Sequence, residues 1–322
     1  MTVLALTLAA LLAGSDPQTM PNTQSVPPAQ AVAQDPATDL GEITVIGRPL
    51  ERMIDDFVNQ VAAPNRHRGL ARWSGTVCVG VANLSREPAQ YILDRVSTVA
   101  SDIGLNTGSP GCTPNIIIVA SDQPDELART LVEERRRAFR MGGAGMDQGG
   151  DALAAFVQSD APVRWWQQSM PVDAQTGVRA VRLPADMRGD GTGDMSALQY
   201  APITYVFAAS RVTTQIRDDL FRTIVILDID KVSGLSAQQL ADYLALVTLA
   251  QIDPEADTSG YASILNVFDD PQSTMSLTDW DIAYLNGLYD AERTRANLRS
   301  GRAEVSASIE RAHGRLQQTA QD

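Results

Sequence analysis

A chain of 322 residues, 44% apolar and 20% charged, has the length of about two domains and the composition of a folded protein, which excludes a disordered, fibrous or small stapled molecule. Its 26 Lys and Arg against 39 Asp and Glu leave a net charge of -13, so phosphate backbones are repelled and nucleic acid is excluded as a partner. Two histidines, His67 and His313, and two cysteines, Cys78 and Cys112, are too few for most metal and triad chemistry.

Residues 3–12 form an apolar run too short for a permanent membrane span, followed by Ala13-Gly14-Ser15 as a small-residue cleavage site. Residues 1–15 are therefore expected to be a signal peptide, although no basic segment precedes the apolar run. No later stretch is long and apolar enough to span a bilayer, so the expected address is periplasmic or secreted. In an oxidising compartment Cys78 and Cys112 are expected to pair, the alternative being two buried thiols. Residues 16–41, rich in Pro, Gln, Thr, Ala and Ser, read as a disordered linker.

Residues 42–140 read as a small α/β domain. A short strand over 42–49 ends at Gly47 and Pro49, and the pattern then runs helix, strand, helix, strand, helix. The valines of residues 76–82 alternate as in a strand; Ser85 starts a helix whose apolar residues recur at i, i+3, i+4 until Gly104 stops it. Residues 115–120 form a nearly all-apolar strand. The charge run Glu133 to Arg137 is a solvated face of a last helix over 124–140. Residues 141–150 form a Gly-rich linker, and because they follow a helix rather than a strand they do not read as a dinucleotide loop.

Residues 151–290 read as a mixed α+β domain. It starts with a loop-rich stretch in which one of the adjacent Trp165 and Trp166 packs and the other lies near the surface. Asp186, Asp190 and Asp194 mark a polar turn without calcium-loop spacing. Residues 203–207, 211–217 and 221–228 look like strands, the last two joined as a hairpin at Asp218-Asp219, with residues 223–227 central in the sheet. Ser236 and Gln239 make a capping box for a helix that is apolar nearly all round and carries one carboxylate, Asp242. Residues 291–322 are a polar C-terminal tail with a thin apolar stripe, Val305, Ile309, Ala312 and Leu316, read as a solvated tail or as a helix docking on a partner.

Within residues 221–290, the buried helix, a turn around Leu265, and a last helix with Leu277-Thr278, Asp281, Leu285 and Leu288-Tyr289 resemble the C-terminal half of a metzincin-type zinc peptidase. That family's last helix reads L-T-x-x-D-x-x-x-L-x-x-L-Y. The resemblance implies a zincin-like fold for this part. It places the three metal histidines on Ala241, Ala245 and Gln251, the general-base glutamate on Asp242 and the turn methionine on Leu265. Alanine cannot ligate zinc, so the resemblance implies a scaffold without a metal or cofactor. Residues 43–49, the Gly111-Cys112-Thr113-Pro114-Asn115 turn and the Gln239-Leu240-Ala241-Asp242-Tyr243-Leu244 helix are also similar to those of a set of bacterial exported proteins. That likeness implies export and brings no activity.

The expectation is thus an α+β protein, a small disulfide-linked α/β domain followed by a zincin-like domain. It would serve a non-catalytic binding or envelope-associated role, with an unidentified protein or small molecule as partner. The alternative is a hydrolase that uses carboxylates around Asp242 and Asp253, with Asp228, Asp230 and Asp257 close in sequence. A serine hydrolase built from Ser263, Asp242 and His67 lacks the G-x-S-x-G nucleophile turn.

Overall fold

A four-stranded mixed sheet organises the chain, and its strands come from both sides of the glycine-rich stretch. The computed structural model describes residues 48–141, 145–181 and 210–320. The expected signal peptide, the linker, all but the end of the 42–49 strand, the polar turn at 186–194 and the 203–207 strand lie outside the described residues. β1 (Val79–Ala82) and β2 (Ile116–Ser121) pair in parallel, β3 (Val163–Asp173) runs antiparallel to β4 (Ile216–Asp228), and β4 lies parallel to β2. The order is β1-β2-β4-β3. Because Ile118 of β2 sits opposite Val225 of β4, the expected small domain and the part after residue 150 share one sheet, and Arg48–Asp322 form one unit.

Nine helices among the described residues cover the sheet. In chain order they are α1 (Leu50–Val61), α2 (Arg86–Asp102), α3 (Pro124–Glu134), α4 (Arg136–Phe139), α5 (Gly150–Gln158), α6 (Ile229–Val232), α7 (Ala237–Leu249), α8 (Asp279–Asp290) and α9 (Leu298–Thr319). Side chains alternate along a strand, so β4 sends Val225 and Leu227 into a large core with Phe57, Val96, Leu244, Tyr284 and Ile309 of α1, α2, α7, α8 and α9. Ile224 and Ile226 enter a smaller core with Ala128, Phe139 and Phe156 of α3, α4 and α5. Helices therefore lie on both faces. The expected helix over 124–140 is broken at Arg135 into α3 and α4, and its charge run is exposed.

Three expectations are corrected here. Residues 211–228 contain no hairpin: β4 runs straight through Asp218 and Asp219 and pairs with β3 along its length. Asp218 is held by Arg68 and Asp219 by Arg293, both remote in sequence, with the neighbouring Arg217 also on Asp219, so these two carboxylates that look like turn residues are neutralised within the strand. Trp165 and Trp166 lie in β3 rather than a loop, and both are buried, at 7% and 3% exposure, because both faces of the strand are covered. The apolar stripe of the C-terminal segment is not left in solvent. α9 packs on α8 and α1, burying Val305, Ile309 and Ala312.

Gly287 permits that docking. A Cβ there would stand 2.4 Å from the Ile309 Cα, a backbone clash that no rotamer relieves. Gly287→Ala is expected to cost about 1–3 kcal/mol by forcing the helices apart, read as a lower midpoint in urea denaturation and faster amide exchange in α9. A midpoint equal to the parent's would contradict this packing.

Cys78 and Cys112 form a disulfide with a Cα–Cα distance of 6.1 Å, as expected from their pairing. It ties the chain just ahead of β1 to the loop leading into β2. No helix among the described residues is long and apolar enough to cross a membrane.

Candidate functional site

Asp242 owes its position to α7, which its capping box starts: Ser236 Oγ accepts from Gln239 N at 3.2 Å and Gln239 Oε1 from Ser236 N at 2.9 Å. Residues 241–249 of this helix are all buried, and Asp242 has no exposed surface. Its Oδ1 pairs with Arg95 Nε of α2 and its Oδ2 accepts from Leu277 N at 3.1 Å. Hydrogen bonding to Asp242 raises the Arg95 pKa above its ordinary value, against a smaller opposing effect of burial. Asp242 thus joins α7 to α2 and to the segment ahead of α8. Ala241, Ala245 and Gln251 are buried as well. Gln251 Oε1 accepts from Ala71 N at 2.7 Å. Among the described residues no three His, Cys, Asp or Glu side chains converge to hold a metal ion.

The remaining sequence candidates mostly serve the nearby backbone. Asp228 Oδ1 caps α6 through Asp230 N at 3.2 Å and Lys231 N at 3.3 Å. Asp257 accepts from Ser259 N at 3.1 Å, and Asp253 from Glu255 N at 3.0 Å. Ser263 Oγ donates to Asp281 at 2.6 Å, and His67 is exposed in a turn at φ 62°, so Ser263, Asp242 and His67 form no triad. Asp281 is the most heavily bonded of these groups. It also accepts from Ile264 N at 2.8 Å, Thr278 N at 3.0 Å and Thr278 Oγ1 at 2.9 Å. Burial pushes its carboxyl above the ordinary aspartate value, while these donors pull it down. The Thr278 to Asp281 spacing, a capping box for α8, is the signal in the sequence that could have found it.

An opening of small-molecule size lies elsewhere, at the β3 edge of the sheet. A cleft of about 660 Å³ is bounded by α5, the first residues of β3 and the turn that follows α7, within the range of small-molecule sites. Trp165 and Trp166 reach it from the two faces of β3, beside Phe156, Ala152, Ile252 and Pro254. Their indole nitrogens are occupied, Trp165 Nε1 donating to Ile252 O at 3.1 Å and Trp166 Nε1 to Phe139 O at 2.9 Å. Gln167 Nε2 is likewise held, by Val247 O at 3.0 Å and Ala250 O at 2.8 Å.

Three carboxylates line this cleft: Asp151, Asp253 and Glu255. Asp151 and Glu255 are exposed and Asp253 is half-buried. Among the described residues none of the three has an ion-pair partner. Among the described residues the one cation lining the cleft, Arg164, is 2% exposed at its side chain and committed to Asp125 at 2.6 Å. The cleft therefore offers an apolar wall and unneutralised negative charge. Of the two predicted carboxylates only Asp253 lies here; Asp242 does not line this cleft.

No protein-family model, curated protein or solved structure matches this chain.

Proposed function

We propose that this chain is a non-catalytic binding protein of the periplasm or extracellular space that holds a small amine-bearing ligand with an apolar body in the cleft beside β3. The observation that carries the reading is the pairing of an aromatic and aliphatic wall with Asp151, Asp253 and Glu255, carboxylates without ion-pair partners among the described residues. A cation placed there gains Coulomb energy that an anion would lose. The Cys78–Cys112 disulfide supports an oxidising compartment, since cytosolic thiols are kept reduced. The metallopeptidase-like scaffold enters this proposal as a relic, because the positions that would carry zinc histidines are alanines and a glutamine committed to Ala71 N. Against the hydrolase alternative, Asp242 is spent on Arg95 and Leu277 N, while Asp253 stands in a cleft that Asp242 does not reach.

Calorimetric titration with tryptamine and with indole-3-acetate, an anion of similar size, tests the charge preference. Saturable binding of tryptamine and weaker binding of indole-3-acetate are expected. Asp253→Asn and Glu255→Gln should each raise the tryptamine Kd roughly two- to tenfold, the worth of a partly exposed charge pair. Equal binding of the two compounds, or tighter binding of the acid, would overturn the proposal.

A further inference from the structure

A second pocket, of about 70 Å³, lies among Pro64, Leu70, the segment after α8 and the start of α9. It differs from the cleft in sign. Five arginines line it, Arg68, Arg72, Arg293, Arg295 and Arg302, against two carboxylates, Asp218 and Glu292, in a chain whose net charge is -13. Part of this positive charge is answered. Arg68 pairs with Asp218, Arg293 with Asp219, and Arg295 with Glu292 and Glu304 at 3.0 and 2.9 Å.

Arg72 and Arg302 are not answered in this way. Arg72 is 3% exposed, and among the described residues its guanidinium makes a single hydrogen bond, from Nη1 to Ala291 O at 2.6 Å. Its Nε is buried without a partner, and no carboxylate lies within ion-pair distance among the described residues. Burial, and then the like charge of Arg293, push its pKa down to about 10, which still leaves it a cation at neutral pH. Arg302 has one hydrogen bond, to Asn59 Oδ1 at 3.3 Å, and no ion pair among the described residues. A buried cation without an ion-pair partner is costly, and buried polar atoms rarely stay unpaired. The pocket is also lined by Asn297, Leu298 and Gly301, so the positive end of the 22-residue helix α9 adds to the same field.

We propose that this pocket binds a small oxyanion of the phosphate or sulfate class, with Arg72 and Arg302 as charged donors and the first turn of α9 behind them. The volume admits a group of a few heavy atoms, and guanidinium forks match tetrahedral oxyanions in geometry as well as charge.

The test is calorimetric titration and thermal unfolding of the full chain with inorganic phosphate, sulfate and chloride at constant ionic strength. Saturable one-site binding of phosphate or sulfate, with a rise in Tm that chloride does not produce, is expected. Arg302→Gln, at the half-buried rim, should weaken that binding about tenfold, as losing one charge-assisted contact does, and leave the unliganded Tm near the parent's. Arg72→Met should abolish it; should that variant fail to fold, Arg302→Gln still decides. Glycerol 3-phosphate binding with the same Arg302 dependence extends the ligand to phosphate esters, and its failure beside phosphate binding restricts the pocket to the free anion. Absence of saturation, an equal response to chloride, or saturable binding unchanged in Arg302→Gln would overturn the proposal.

Discussion

Asp242→Ala is expected to lower stability by about 3 kcal/mol or more, among the largest losses of any single side chain here. The carboxylate has no exposed surface and bonds both Arg95 and Leu277 N. Its removal leaves a buried amide without an acceptor and a guanidinium without a counter-charge. Arg95 keeps 30% of its side chain exposed, so water recovers part of the second cost, which holds the figure near the lower end of the range for broken buried pairs. Asp242→Asn keeps an acceptor for Leu277 N and should lose less. Urea denaturation at unchanged m-value measures both. A folded Asp242→Ala variant of parental stability would contradict the structural role, and loss of a hydrolytic activity in stable Asp242→Asn would restore the catalytic one.

Replacing Cys78 and Cys112 together by Ser is expected to cost about 3–4 kcal/mol, since the bridge closes a loop of sequence separation 34 and removes that freedom from the unfolded chain. The loss should centre on β1, which spans four residues and, among the described strands, pairs with β2 alone at the sheet edge. The loop is also packed onto the bridge: a Cβ at Gly108 would stand 2.4 Å from Cys112 Sγ. Denaturation with and without reductant checks this. Reductant should bring the parent down to the stability of the double variant and leave the variant unchanged; a parent insensitive to complete reduction would contradict it.

Local signals in the sequence located much of the secondary structure. The 3.6-residue pattern of α2, the all-apolar centre of β4 and the two-residue capping signature of α7 each express a preference confined to neighbouring residues, and each element forms close to where it is expected. What depends on distant partners was not legible. β3 contains Trp165, Trp166, Gln167 and Gln168 without polar alternation, because both its faces are covered and its glutamines bond to backbone carbonyls of α7 and α4 and their flanks. Asp218 and Asp219 look like a turn until Arg68 and Arg293 arrive. The thin stripe of α9 gains a partner only because Gly287 lets Ile309 approach.

The candidate site was less legible than the fold for the same reason. Asp242 stands out in sequence as a charge on an apolar helix, a pattern that a buried structural ion pair produces as readily as a catalytic group. Asp151, Arg164 and Glu255 carry no motif; they meet because β3 lies at the sheet edge between α5 and the turn after α7. The arginine pocket gathers residues about 230 positions apart, from Arg68 to Arg302, so no window along the chain reveals it.

Hydrogen exchange of the intact chain with and without saturating tryptamine tests the binding assignment most directly. Slower exchange confined to residues 148–167 and 252–256 is the expected result. Protection elsewhere with these segments unchanged, or no protection at any concentration, would contradict a ligand seated beside β3.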